Sequence, residues 1–356
     1  IIGTVGVPAR YGGFETLVEN LVRFHDSHKL AEELVVYCSA RSYAEQPTNY
    51  LSARLSYVPL SANGIQSIFY DIWSLLSAMR QGSSHILLLG VSGAIALPLL
   101  RYFSRARIVT NIDGMEWRRK KWNRVARWFL RFSERIAVRY SHAVVADNGG
   151  IADYVYDTYG CPCNVIAYGG DHAVAAEPVP YHGKVLPERY ALALCRIEPE
   201  NNVDMILEVF SNYESLPLVF VGNWGHSPYG RELRMRYREN HNLYLLDPIY
   251  DVGVLRSLRA GASVYVHGHS AGGTNPSLVE IMHFGIPVLA YDCVFNRYTT
   301  DNMAFYFNDT ETLRAALRKL DMPEYTNSAK AMKRIADERY TWEAIGTAYF
   351  DLLAKC

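Results

Sequence analysis

Residues 267–292 read HGHSAGGTNPSLVEIMHFGIPVLAYD, and the rest of the chain is best read outward from them. A short apolar run, Val264-Tyr265-Val266, leads into a small polar loop, Ser270-Ala271-Gly272-Gly273-Thr274-Asn275. Pro276 follows at the first turn of a helix, where its fixed φ is already suited, and Glu280 lies one turn further on. Thr274 or Asn275 can cap that helix, the two glycines let backbone approach a ligand closely, and the unpaired N–H groups with the helix dipole favour a phosphate. Gly285 ends the helix, and Ile286-Pro287-Val288-Leu289-Ala290 begins another buried strand. A carboxylate beside a pyrophosphate site has an evident use, hydrogen bonding to a ribose diol. The same loop also reads as an ordinary connection of an α/β fold.

Strand-like runs recur along the chain at 1–5, 34–38, 55–59, 85–90, 107–112, 143–148, 164–171, 190–195, 218–223 and 243–250, with helical stretches between them. Repetition of this kind predicts parallel sheets covered on both faces, with ligands bound beyond the C-terminal ends of the strands. At 356 residues the chain suits two domains of ordinary size. We expect an N-terminal domain over 1–172, an aperiodic Ala-, Pro- and Glu-rich linker over 173–189, a second domain over 190–335 and a C-terminal helical segment over 336–356. Trp342, Ile345, Tyr349, Leu352 and Leu353 recur at helical spacing in that last segment.

Hydrophobic residues make up 49% of the chain and charged residues 20%, which describes a packed globular protein. The formal net charge is zero, so no global field points to nucleic acid, and none is expected as a partner. Six cysteines are scattered; Cys161 and Cys163 alone are close, a poor zinc signal, and reduced thiols of a cytosolic protein are expected, with no metal. The apolar run 86–100 is shorter than the roughly 20 residues that a membrane span needs. The opening strand begins abruptly at Ile1, and a few residues are expected upstream of it.

The order of loop, Pro-Ser, Glu280 and Gly-x-Pro-Val resembles the donor-nucleotide site of retaining glycosyltransferases of family 4. The opening run Gly3-Thr4-Val5-Gly6-Val7-Pro8-Ala9-Arg10-Tyr11-Gly12-Gly13-Phe14-Glu15-Thr16 resembles the N-terminal signature of a bacterial subgroup of that family that includes rhamnosyltransferases. The likeness runs over nearly all the chain. It implies the GT-B fold, two Rossmann-like α/β domains with parallel sheets facing across a cleft, and transfer of a sugar from a nucleotide-sugar co-substrate without a metal cofactor.

Residue by residue, the resemblance implies that Gly12 and Gly13 bring backbone close to the donor phosphates and acceptor, although a plain tight turn would read the same. Arg196 stands where the family's arginine reaches the diphosphate, a task suited to its permanently charged fork. The lysine that usually follows six residues later is Asn202 here. Gly222 closes a strand-to-loop junction, and Pro248 and Ile249 lie in the segment over which the family lays the nucleobase. Gly272, Gly273, Thr274 and Asn275 with Glu280 complete the donor site. The family's usual pair is Glu-x7-Glu, and its first position is Gly272 in this chain. Where many relatives carry a histidine near the donor sugar, this chain offers Asp113, with Glu116 beside it; a helix-capping role is the other reading of Asp113. Glu15 and Glu116 are expected on the acceptor side.

The donor that fits the subgroup is dTDP-rhamnose, whose 6-deoxy sugar presents fewer hydroxyls at the position of the missing glutamate. UDP-hexose is the competing donor. Residues 117–139, WRRKKWNRVARWFLRFSERIAVR, carry one acid, Glu134, among many arginines, lysines and aromatics. Such a helix can lie on anionic lipid, through Arg124, Arg127 and Arg131, or can be a surface helix whose aromatics pack inward. The first reading implies a lipid-linked saccharide acceptor at the cytoplasmic face of the cell membrane, with the protein peripheral there. Three other classes stay open: a silent GT-B protein that binds donor without turnover, a GT-B sugar-nucleotide epimerase, and a nicotinamide-dependent oxidoreductase. The last is disfavoured because no strand is followed by the full glycine fingerprint.

Overall fold

The computed structural model describes residues 1–9, 12–112, 114, 115, 117 and 122–356. It divides into two compact units, Ile1–Tyr168 with Trp342–Cys356, and Gly169–Thr341.

The first unit begins with α1 (Gly13–Ser27) and β1 (Leu34–Ser39), then β2 (Asn49–Tyr50), β3 (Ala53–Val58), α2 (Gln66–Arg80), β4 (His85–Leu89), α3 (Leu97–Phe103), β5 (Arg107–Ile112), α4 (Arg124–Tyr140), β6 (Ala143–Ala146), α5 (Gly149–Tyr159) and β7 (Asn164–Val165). Strands β4-β5-β6-β7 pair in parallel, β1 pairs in parallel with β3, and β2 adds an antiparallel edge. Residues 1–5 join the two groups. On one side Tyr37 N–H donates to Ile1 O (3.0 Å) and Ser39 N–H to Val5 O (2.8 Å); on the other Ile2 N–H donates to Leu87 O (2.9 Å) and Leu89 N–H to Ile2 O (2.8 Å). Counted with this opening segment as the first strand and the short antiparallel β2 left aside, the order is 3-2-1-4-5-6-7, that of a doubly wound fold with one further strand. Apolar, largely β-branched strands suit a sheet buried on both faces, and Val36, Leu88, Ile108 and Val145 are buried in it.

The second unit holds α6 (His172–Ala175), β8 (Ala191–Leu194), α7 (Val203–Ser211), β9 (Leu218–Val221), α8 (Pro228–Tyr237), β10 (Leu243–Leu246), α9 (Val252–Ala260), β11 (Val264–His267), α10 (Pro276–Met282), β12 (Val288–Tyr291), α11 (Val294–Thr299), β13 (Phe305–Phe307), α12 (Thr310–Leu317) and α13 (Pro323–Arg339). All six strands are parallel in the order β10-β9-β8-β11-β12-β13, again 3-2-1-4-5-6. Trp224, Phe210 and Phe220 fill its core; Trp224 spends its indole N–H on Leu246 O at 2.9 Å, so the large ring is buried without an orphaned donor. The last helix, α14 (Trp342–Lys355), belongs to the first unit, where Tyr349 accepts from Asn111 Nδ2 at 2.6 Å.

One expected strand is cut short. The run 164–171 reads as strand throughout, yet only Asn164–Val165 pairs. The remainder is irregular, and Gly170, already in the second unit, lies against α10: a side chain there would meet the backbone of Val279 and Glu280 at 2.7 Å. The stretch 173–189, expected as linker, opens with the end of α6 and is otherwise irregular to Arg189.

Candidate functional site

In the second unit the strand order reverses between β8 and β11, and a crevice beyond their C-terminal ends is where open α/β sheets bind ligands. Strand β8 delivers Arg196 to that edge and β11 delivers the loop 268–275. The two loops are tied together by side chains. Asn202, in a left-handed conformation (φ 50°) that asparagine tolerates, donates from Nδ2 to Gly268 O at 2.8 Å. Ser270 donates from both N (3.1 Å) and Oγ (2.7 Å) to Glu200 O, and Asn296 Nδ2 donates to His269 O at 2.9 Å. The stem of the loop is therefore fixed on three sides, while Ala271 at its tip is exposed and Gly272 and Gly273 are half-buried.

Asn275 caps α10, accepting from Ser277 N–H at 3.1 Å and Ser277 Oγ at 2.8 Å. Thr274 is buried. Tyr265, on β11, reaches Ser277 Oγ (3.1 Å) and donates to Leu194 O (3.2 Å), linking β8, β11 and α10 beneath the loop. Burial pushes its phenol well up, so it is a neutral donor at any working pH.

Glu280 projects from α10 into a buried ion pair. Arg259, at the end of α9 and 4% exposed, donates to Glu280 Oε2, and His172 Nε2 lies 3.4 Å from Oε1. Burial works against the charge of Glu280, but Arg259 and then His172 outweigh it, and the carboxyl is held below the usual glutamate value. Arg259 and His172 were not singled out from the sequence; the pairing joins elements that are not neighbours in the chain. His267 has no role legible from local sequence. It is buried at the end of β11, its ring stacked on His269 at 4.4 Å, and neither nitrogen has a hydrogen-bond partner among the described residues. Burial, and secondly His269, hold it well below the usual histidine value, so it is neutral.

The other expected donor residues fall as follows. Arg196 is exposed with Glu198 at 3.8 Å, a loose pair that leaves its fork available. Gly222 is a packing requirement, since a side chain there would collide with Ile197 and Cys195 O. Pro248 and Ile249 lie just past β10, exposed and half-buried. Gly272 has φ +116°, a conformation that L side chains rarely adopt, with open space around it, so its backbone accounts for the glycine where the resembled family has glutamate.

In the first unit Gly12 (φ +148°) precedes α1, and its carbonyl accepts from Thr16 N (3.1 Å) and Oγ1 (3.0 Å); Gly13 is the first residue of the helix. Glu15 is almost wholly buried in the first turn of α1. Asp113 and Glu116 lie outside the described residues. Arg124 and Arg131 are exposed on α4, whereas Arg127 is half-buried with its Nε enclosed. Among the described residues no group of three His, Cys, Asp or Glu side chains is placed to hold a metal ion, and no helix is long and apolar enough to cross a membrane.

Comparison with known proteins bears on this edge of the sheet. Residues 180–337, which contain it, match the family described as Glycosyl transferases group 1. Residues 1–171 match a domain of unknown function, DUF1972. No curated protein matches the chain by sequence. Among solved structures, the chain is similar to sucrose-phosphate synthase from Thermosynechococcus elongatus (13% identity, TM-score 0.75, covering 97% of this chain and 93% of that one). It is also similar to Anabaena HepE in complex with UDP-glucose (14%, 0.70, 98% and 97%) and to a glycosyltransferase from Rickettsia africae (12%, 0.72, 98% and 96%). At these identities the likeness shows the fold, and the fold is GT-B.

Proposed function

We infer that the protein is a retaining glycosyltransferase that moves rhamnose from dTDP-rhamnose to a saccharide carried on a lipid. The observation that supports the reading is the switch point of the second sheet, where β8 leads to Arg196 and the adjacent β11 leads to the pinned loop 268–275 and α10 with Glu280, within the residues that match group 1 glycosyl transferases. In this reading the bond from the sugar's anomeric carbon to the diphosphate breaks with its electron pair going to the departing oxygen, the acceptor hydroxyl adds to the same face of the sugar, and its proton passes to that diphosphate oxygen. Arg196 and the N–H groups of Gly273 and Thr274 take the charge that grows on the diphosphate, a preorganised arrangement that needs no metal. Glu280, kept ionised by Arg259 and His172, accepts from the ribose hydroxyls. The lipid-linked acceptor and a peripheral position at the cytoplasmic membrane face are supported by the arginine-rich α4.

UDP-hexose is the second reading of the donor, favoured by the UDP-glucose in the Anabaena HepE complex. The test is a thermal-shift titration against dTDP, UDP, GDP, ADP and NAD, on the wild type and on Glu280→Gln. A cognate nucleotide at 100 times its Kd adds about 2.7 kcal/mol to the native state. Stabilisation by dTDP that weakens in Glu280→Gln supports the first reading, and stabilisation by UDP alone supports the second. Stabilisation by NAD alone, or by none of the five, refutes both.

A further inference from the structure

The first unit presents an apolar and cationic face that the donor chemistry does not use. On α4 the exposed positions are Arg124, Val125, Trp128, Arg131, Phe132, Arg135 and Arg139, spaced so that they form one stripe along the helix. The opposite face is locked: Glu134 is buried and accepts from the hydroxyls of Tyr154 and Tyr159, each at 2.7 Å. Trp128 and Phe132 stack in parallel at 5.6 Å, with Trp128 67% exposed. The neighbouring helices continue the pattern. On α3, Tyr102 and Phe103 are about three-quarters exposed, and on α2, Phe69 and Trp73 stand out one turn apart. Isolated exposed aromatics are unremarkable, but aromatics repeated on three packed helices mark a docking surface.

The charges say what docks there. On α2, α3 and α4 the exposed charged residues are Arg80, Arg101, Arg124, Arg131, Arg135 and Arg139, all cations. The two acids of these helices, Asp71 and Glu134, are both buried and hydrogen-bonded, Asp71 to Ser92. A second copy of this chain would set arginine against arginine. Anionic lipid complements the face, since each cation near such a surface adds attraction and aromatics favour the headgroup level. Between α3 and α4 lies a groove of about 300 Å³ lined by Pro98, Phe132, Arg135, Ile136, Arg139 and Tyr140. Its two guanidiniums beside apolar walls suit a phosphate joined to acyl chains.

We propose that α2, α3 and α4 form one face that docks on an anionic bilayer, and that the groove between α3 and α4 holds the phosphate of a lipid headgroup. This rests on the lipid-linked acceptor reading for its purpose, and it widens the expected contact from α4 to three helices.

The test is co-sedimentation with vesicles of phosphatidylcholine alone and of phosphatidylcholine mixed with phosphatidylglycerol, together with quenching of tryptophan fluorescence by brominated lipid. Binding to the mixed vesicles only is expected, with a loss of about 30-fold in Arg135→Gln/Arg139→Gln. Trp73→Phe and Trp128→Phe should each remove part of the quenching. Equal binding to both vesicle types, or to neither, overturns the proposal, as does dimerisation without vesicle binding. Quenching that depends on Trp128 but not on Trp73 confines the contact to α4 and overturns the three-helix face. Circular dichroism and nucleotide binding of the same variants should match the wild type. Absence of nucleotide binding in every sample would mark failure of the glycosyltransferase reading while leaving the vesicle result standing.

Discussion

Replacing Arg259 by Met should unsettle the second unit by an amount that depends on pH. The substitution keeps an unbranched chain of similar length on α9 and removes only the cation that meets Glu280. Both side chains are shielded, 5% and 14% exposed, so solvent screening offers little relief. Removing one partner of a buried pair costs about 3–5 kcal/mol, because the other charge is left uncompensated. His172, 3.4 Å from the second carboxylate oxygen, takes up part of the deficit, which sets the expected loss near the lower end, about 3 kcal/mol. For a unit of this size that lowers Tm by about 6–12 °C. The sign with pH follows from the carboxyl. In the wild type its value is depressed from 4.5, so its contribution is complete above that pH and is lost as pH falls through the folded value. In Arg259→Met burial acts with less opposition, the carboxyl rises, and its penalty appears as pH rises. The gap between the two proteins should therefore be widest near neutrality and narrow towards pH 4.5. Urea unfolding at several pH values measures it, and Arg259→Met/Glu280→Gln should lose less than the two single changes added. A gap under about 1 kcal/mol that does not vary with pH would refute the buried pair and the role drawn from it.

Two further outcomes follow from single positions. Gly272→Glu supplies the acid that the resembled family carries, but at φ +116° the strain should cost about 1–3 kcal/mol with no gain in nucleotide affinity; melting curves and Kd values for dTDP and UDP decide, and a tenfold tighter Kd would contradict the account. Asp71, buried against Ser92, has its carboxyl raised from 3.8 to about 7, so its contribution to stability is whole below 3.8 and is lost as pH rises through 7, about 4 kcal/mol in all; Asp71→Asn should flatten that decline in urea midpoints between pH 5 and 8, and an unchanged slope would refute it.

Much of the architecture was legible because parallel strands announce themselves as short apolar runs separated by helical periods. The site was legible in part. Pro276 opens α10 as local chemistry requires and Asn275 is the residue that caps it, while the helix stops at Met282, short of the expected Gly285. What could not be read were the distances between elements. Nothing in the local sequence of α9 says that Arg259 meets Glu280, and the glycines illustrate the same limit. Gly3 and Gly6 look like part of a ligand loop, yet a side chain at Gly3 would strike the backbone of Leu89 and one at Gly6 would lie 2.7 Å from Cys38 Sγ. They are glycine because the opening segment is wedged between β1 and β4. Arg127 shows a related limit. The basic run placed it with Arg124 and Arg131, but helical rotation turns it partly inward.

That wedged opening segment also bears on how the first unit assembles. Residues 1–5 are synthesised before both strands they hydrogen-bond, and their partners β1 and β4 lie tens of residues later in the chain. One edge of this strand can pair once β1 is made, but the other must stay unpaired until β4 is complete at Leu89, and loop closure over that longer span precedes the gain from joining the two groups of strands. Until then an apolar edge is open to wrong pairing, so a slow, chaperone-sensitive step in the folding of this unit is the expected cost of placing residues 1–5 between β1 and β4.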